Sequence, residues 1–249
     1  MTTKKVYGDI ELEDRLLAMI ENGGSSSSNS RLDISNEVST IVSLLEASTR
    51  SIPRPAIAPQ VYGRWKLLRT SNTNTASPIQ RKAVDTSKFD IYQDIIIVNE
   101  NDNNNDDDNK RRTKKSGLLV RQIVEFSNTT RLYVDALGST SSYPLDKLTD
   151  RIDDGTILGM NILGVSLVGE NAIENKNNLC GPDSRIRFVF DEGKFILFNG
   201  KLTIPYPVPF RNPLFRDAVK GWIDITYLSD RVRISRGNKG STFILRKVT

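Results

Sequence analysis

The chain has 249 residues, a formal net charge of +5 and no histidine. A serine or cysteine hydrolase with a histidine base is therefore excluded, as is any histidine-ligated zinc, haem or non-haem iron centre, and the single cysteine, Cys180, leaves no internal disulfide. Carboxylate, lysine or tyrosine chemistry stays open, as does a carboxylate-bound Mg or Ca ion, but no spacing points to either, and no apolar run approaches the roughly 18 residues of a membrane-spanning helix.

Met1 to Asp14 mixes Lys4 and Lys5 with Asp9, Glu11, Glu13 and Asp14, which fits neither a secretory signal nor an acid-poor transit peptide. Leu12, Leu16, Met19 and Ile20 fall at helical spacing, and Val38, Ile41, Val42 and Leu45 repeat it. Two short amphipathic helices are expected, separated by a mobile loop over Asn22 to Ser30, with Asp33 or Ser35 capping the second. Pro53, Pro55 and Pro59 then carry the chain out in extended form. Residues 1–60 thus read as a helical segment with a Ser/Asn-rich loop and a Pro-rich linker, and residues 61–249 as a separate β domain.

From Gly63 the period changes to two. Strands are expected over Arg64 to Thr70, Asp90 to Val98, Leu119 to Phe126, Arg131 to Leu137, Arg185 to Phe190, Lys194 to Phe198, Trp222 to Leu228, Val232 to Arg236 and Thr242 to Val248. Leu228 to Val232 and Gly237 to Gly240 read as hairpin turns, because Gly and Asn accept positive φ. A long run of strands without helices implies an antiparallel sheet that closes on itself, and a barrel of about eight strands can hold one small ligand. Two stretches interrupt the pattern: a loop at 100–116 whose acids and bases balance, expected to be disordered, and an insertion at 138–184. The apolar part of that insertion, Ile157 to Val168, reads as an extra hairpin, a buried flap or a loop that dips into a membrane surface.

The C-terminal third carries the sharpest motifs. Ile204 to Arg211 reads Ile-Pro-Tyr-Pro-Val-Pro-Phe-Arg, Lys220 to Leu228 reads Lys-Gly-Trp-Ile-Asp-Ile-Thr-Tyr-Leu, and Val232 to Leu245 holds Arg-Ile-Ser-Arg-Gly, Lys-Gly and Phe-Ile-Leu. Two earlier patches agree with them, Gly63-Arg64-Trp65-Lys66-Leu67-Leu68 and the Ser77-Pro78-Ile79-Gln80-Arg81 element. Together these resemble the plastid lipid-associated protein (PAP/fibrillin) family. The resemblance implies a mainly β fold, an antiparallel lipocalin-like β-barrel behind a short N-terminal helical segment. It also implies residence in plastids at thylakoids or plastoglobules, and non-catalytic binding or carriage of an apolar lipid or isoprenoid ligand such as a carotenoid, quinone, tocopherol or fatty acid. The loop at 100–116 and the insertion at 138–184 depart from the family pattern.

Alternation assigns faces to these strands. Pro205, Pro207 and Pro209 remove three donors along one side, so that segment belongs at an edge or rim, with Tyr206, Val208 and Phe210 projecting together. Ile223, Ile225 and Tyr227 are expected on the inner face of their strand. Arg233, Ser235 and Gly237 oppose Val232, Ile234 and Arg236, which makes Arg236 the expected inward or rim-facing cation, paired with Asp224 or holding a ligand carboxylate. The candidate ligand contacts are Trp65, Tyr206, Phe210, Asp224, Tyr227, Arg233 and Arg236. Arg211 to Thr249 carries nine cations against three anions, a net +6 that accounts for the whole excess of the chain. Those cations read either as outward positions of amphipathic strands or as a docking face for thylakoid lipids or a photosynthetic complex rather than for nucleic acid.

Overall fold

A computed structural model describes residues 8–22, 28–71, 86, 88–98, 117–145, 156–162, 165–168, 183–206, 220–237 and 241–248. The expected loop at 100–116, the Ser77 to Arg81 element, Cys180 and Phe210 lie outside these residues. Helix α1 spans Asp9–Asn22 and α2 spans Ser28–Glu46. The second helix therefore begins inside the expected loop, and Asp33 and Ser35 lie within it rather than at its cap. A polar composition marks this stretch as loop, yet the apolar stripe of α2 packs onto the barrel and extends the helix past its weak formers.

The strands are β1 Gly63–Thr70, β2 Asp90–Val98, β3 Gly117–Ser127, β4 Thr130–Ser139, β5 Thr156–Ile162, β6 Val165–Val168, β7 Arg185–Leu197, β8 Leu202–Pro205, β9 Lys220–Leu228, β10 Val232–Gly237 and β11 Thr242–Lys247. Eight of them close an antiparallel barrel in the order β1-β2-β3-β4-β7-β9-β10-β11, with β11 returning to β1. The pair β5–β6 forms its own two-stranded sheet, the extra hairpin of the insertion.

The two strands expected over 185–198 are one. Asp135 of β4 faces Glu192 while Ala136 faces Phe190, so Asp191 is an extra residue and the expected turn is a β-bulge that bends β7 without ending it. The first half of β7, Arg185 to Val189, pairs with β9, and the second half, Lys194 to Leu197, pairs with β8 on the same side. Strand β8 is exposed along its length and contains Pro205, as expected of an edge strand.

Inward residues form one apolar cluster that includes Trp65, Leu67, Ile91, Ile95, Val120, Val134, Phe188, Ile223, Ile225 and Leu245. A second cluster lies outside the barrel wall. There Leu12, Leu16 and Leu17 of α1 and Val38, Ile41, Val42 and Leu45 of α2 cover Tyr227, Val232, Ile234 and Ile244. At its edges, helix acids meet strand cations. Asp14 accepts from Arg231 at 2.5 Å, Glu21 pairs with Arg246, and Glu46 takes both arms of Arg236 at 2.8 and 2.6 Å. The basic excess of the last strands is thus partly neutralised by the acidic helices.

Residues 51–62 strap one end of the barrel. Ile52 N–H donates to the Leu228 carbonyl at 2.9 Å, Ala56 N–H to the Asp183 carbonyl at 2.7 Å, and a 3-10 turn over Pro59–Val61 leads to Gly63 at φ 104°, a turn only glycine makes without strain. The Trp65 indole N–H donates to the Val61 carbonyl at 2.8 Å, and Lys247 donates to the carbonyls of Gln60 and Tyr62.

Glu46 also accepts from the Thr226 hydroxyl at 2.6 Å, and its side chain is 2% exposed. Glu46→Gln breaks a buried, hydrogen-bonded ion pair, so the unfolding free energy in urea should fall by about 3 kcal/mol. A change within experimental error would mean that α2 is held by its apolar face alone.

Candidate ligand-binding site

Three of the expected contacts point away from the barrel interior. Asp224 lies on the outer face, its carboxylate gripped by Arg185 at 2.7 and 2.9 Å, with the Arg185 guanidinium 3.9 Å from the centre of the Trp222 ring. Arg236, expected to point inward, points outward to Glu46. Tyr227, expected on the inner face, lies in the outer cluster and donates to Glu13 of α1 at 2.8 Å.

A bulge accounts for Tyr227. Ile225 faces Ser235 and Tyr227 faces Ile234, so Thr226 is an extra residue and the alternation that keeps Ile223 and Ile225 inside reverses beyond it. Arg236 has a different cause. Val232 and Ile234 are apolar because the helices cover them, so the apolar face of β10 is the outer one and the polar face is the inner one.

The inward cation is therefore Arg233. It is 1% exposed, its guanidinium carbon sits 4.9 Å from the centre of the Trp65 ring, and its Nη2 donates to the Gln93 Oε1. Among the described residues its Nε and Nη1 have no hydrogen-bond partner, and neither has the buried Ser235 hydroxyl, which succeeds it on the inward face of β10. Burial pushes the Arg233 guanidinium from its ordinary 12.5 down to about 9, so it stays charged near neutral pH. A second cation shares the ring. Lys247 lies 4.6 Å from the same indole ring, and burial and then Arg233 lower its pKa.

The end of the barrel away from the strap is aromatic. Phe89 stacks edge-on against Phe126 at 5.1 Å, Phe126 lies 6.5 Å from Phe195, and Phe195 lies 5.7 Å from Tyr206. Phe243 packs on the same cluster. Of the expected contacts, the structure thus places Trp65 and Arg233 together near the strap and Tyr206 on the rim, while Phe210 lies outside the described residues.

Gln93, Ser235, Lys247 and the rim phenylalanines are not among the expected contacts. Gln93 carries a signal, since a polar residue alternating with Ile91 and Ile95 is out of pattern on an inward face. The rim carries none, because its members come from five separate strands and loops.

The PAP_fibrillin family model matches residues 166–246. Over the whole chain, the sequence is 33% identical to the probable plastid-lipid-associated protein 12, chloroplastic, of Arabidopsis thaliana. The chain belongs to the PAP/fibrillin family. It spans 47% of that relative's length, and no solved structure matches it significantly. The printed name of that relative associates it with plastid lipids in the chloroplast. Within this PAP/fibrillin chain the region matched by the family model holds Tyr206 and Arg233, while Trp65 and Gln93 precede it.

Burial first, and then Glu13, raise the Tyr227 pKa above its ordinary 10. A raised folded-state pKa stabilises fully below about pH 10 and is lost as the pH rises further, so wild type should lose stability above about pH 10 more steeply than Tyr227→Phe. Denaturant midpoints at a series of alkaline pH values measure this. Arg233 makes the opposite kind of contribution. The double variant Arg233→Met, Gln93→Leu replaces an uncompensated buried charge and its partner by apolar groups, and should be about 1–3 kcal/mol more stable than wild type in the ligand-free state. A loss of stability would show that the cation holds the barrel together.

Proposed function

We propose that this chain is a non-catalytic carrier that binds an apolar plastid metabolite inside the barrel, and that thylakoids or plastoglobules are where it loads and unloads. The observation that carries this reading is the polarity of the barrel. Its interior is apolar, strapped at one end, ringed by aromatic side chains at the other, and among the described residues it holds a buried cation, Arg233, that no acid meets.

Burial of about ten methylenes yields roughly 8 kcal/mol, and association costs on the order of 4 kcal/mol or more, which leaves near-millimolar affinity. A carrier therefore needs a longer chain or a polar anchor. Arg233 supplies the anchor that Arg236, held by Glu46, does not. Docking on thylakoid lipids or a photosynthetic complex through the basic C-terminal strands is less favoured, since Arg231, Arg236 and Arg246 each face a helix acid and Arg233 is buried. Asp224, Tyr227 and Arg236 are engaged with Arg185, Glu13 and Glu46 respectively and do not converge on one pocket.

The chain has two tryptophans, so Trp222→Phe leaves Trp65 as the sole indole. In that variant a short-chain benzoquinone or a polyene should quench the Trp65 emission saturably and with one-to-one stoichiometry. Emission that falls only in proportion to added quencher would sink the carrier reading.

A further inference from the structure

We propose that Arg233 holds the carboxylate of a long-chain fatty acid, bound head-first toward the strapped end of the barrel with its acyl chain running to the aromatic rim. The inference rests on the carrier reading and narrows its ligand to one chemical class.

Unmet donors come first. Arg233 is 1% exposed and keeps Nε and Nη1 without partners, and Ser235 Oγ, next along the same inward face, is also unmet. A buried charge in that condition is costly, and a carboxylate oxygen is the acceptor that a guanidinium pairs with best.

The second observation is the placement of the acids. Every buried acid among the described residues belongs to the outside of the barrel wall and already has a partner there. Glu13 accepts from Tyr227, Glu46 from Arg236, Asp94 from Arg64, Asp135 from Arg121 and Asp224 from Arg185. A second cation, Lys247, lies over the same Trp65 ring, and the anion that acts on Lys247 is the exposed Asp230. The protein therefore offers Arg233 no anion from among its described residues, and a ligand that brings one relieves the burial.

The choice of headgroup comes from counting charge. A quinone or carotenoid oxygen satisfies a donor but leaves the charge uncompensated. A diphosphate brings more negative charge than one arginine matches, and Lys247 is already donating to the Gln60 and Tyr62 carbonyls. A single carboxylate fits. Its tail then meets Ile225, Leu245 and Phe243 on the way to Phe126, Phe195 and Tyr206.

The test is calorimetric titration of delipidated protein with palmitate and with methyl palmitate, using wild type, Arg233→Gln and Arg233→Lys. Wild type should prefer the acid by about ten- to a hundredfold, the worth of one charged hydrogen bond. Arg233→Gln should bind both within about twofold, and Arg233→Lys should keep part of the preference. Equal binding of acid and ester by wild type, or a preference that survives Arg233→Gln, would overturn the anchor while leaving the carrier intact. Failure of wild type to bind either would take the carrier reading down as well. Carbon-13-labelled palmitate bound to wild type gives a readout that does not depend on a variant folding. Its carboxyl resonance should stay that of the ionised form below about pH 4–5, where an exposed carboxyl takes up its proton. A resonance that titrates like the free acid would contradict contact with Arg233.

Discussion

Strand β10 is buried on both faces, and the arrangement of the rest of the molecule turns on that constraint. Its outer residues, Val232 and Ile234, need an apolar cover, and α1 and α2 supply it. Once they do, the inner face of the same strand must take Arg233 and Ser235. The helices are therefore more than a preface to the barrel. By satisfying the outward aliphatics they force a cation into the oily interior, where no described acid meets it.

The two surfaces of the wall handle charge in opposite ways. Outside, arginines and carboxylates alternate across neighbouring strands, as in Arg64 with Asp94, Arg121 with Asp135, and Arg185 with Asp224, each pair bidentate. These pairs are half-buried and self-sufficient. Inside, Arg233 leans on the π-face of Trp65 and on one amide oxygen. A cation over an indole is worth about 2 kcal/mol when desolvated, which offsets only part of the cost of burying it. A protein retains such a group against its own stability where something outside the chain completes it, as binding sites commonly do.

Much of this fold is legible from period and punctuation. The expected ends of β2 match at both residues, and those of β1, β3, β4, β9, β10 and β11 differ by two residues or fewer at each end, because their alternation is regular and their turns hold Gly, Asn or Ser. The choice of side is not legible in the same way. Alternation says which residues share a face but not which face looks inward, and where helices cover the outside both faces are buried. Alternation alone therefore puts Val232, Ile234 and Tyr227 in the interior and makes Arg236 the inward cation. Bulges account for the remaining differences, since one extra residue at Thr226 or Asp191 leaves composition unchanged while it reverses or bends the strand beyond it. Trp65, Arg233 and Tyr206 stand out in the sequence, but the relation among them exists only once the barrel is closed.

The divided pairing of β7 has a mechanical consequence. Its outer edge is handed from β9 to β8 part-way along, and among the described residues no ladder joins β8 to β9. The β7–β9 seam is held by five residue pairs, whereas β2–β3, β3–β4 and β4–β7 are held by nine each, so it parts more readily than those three do.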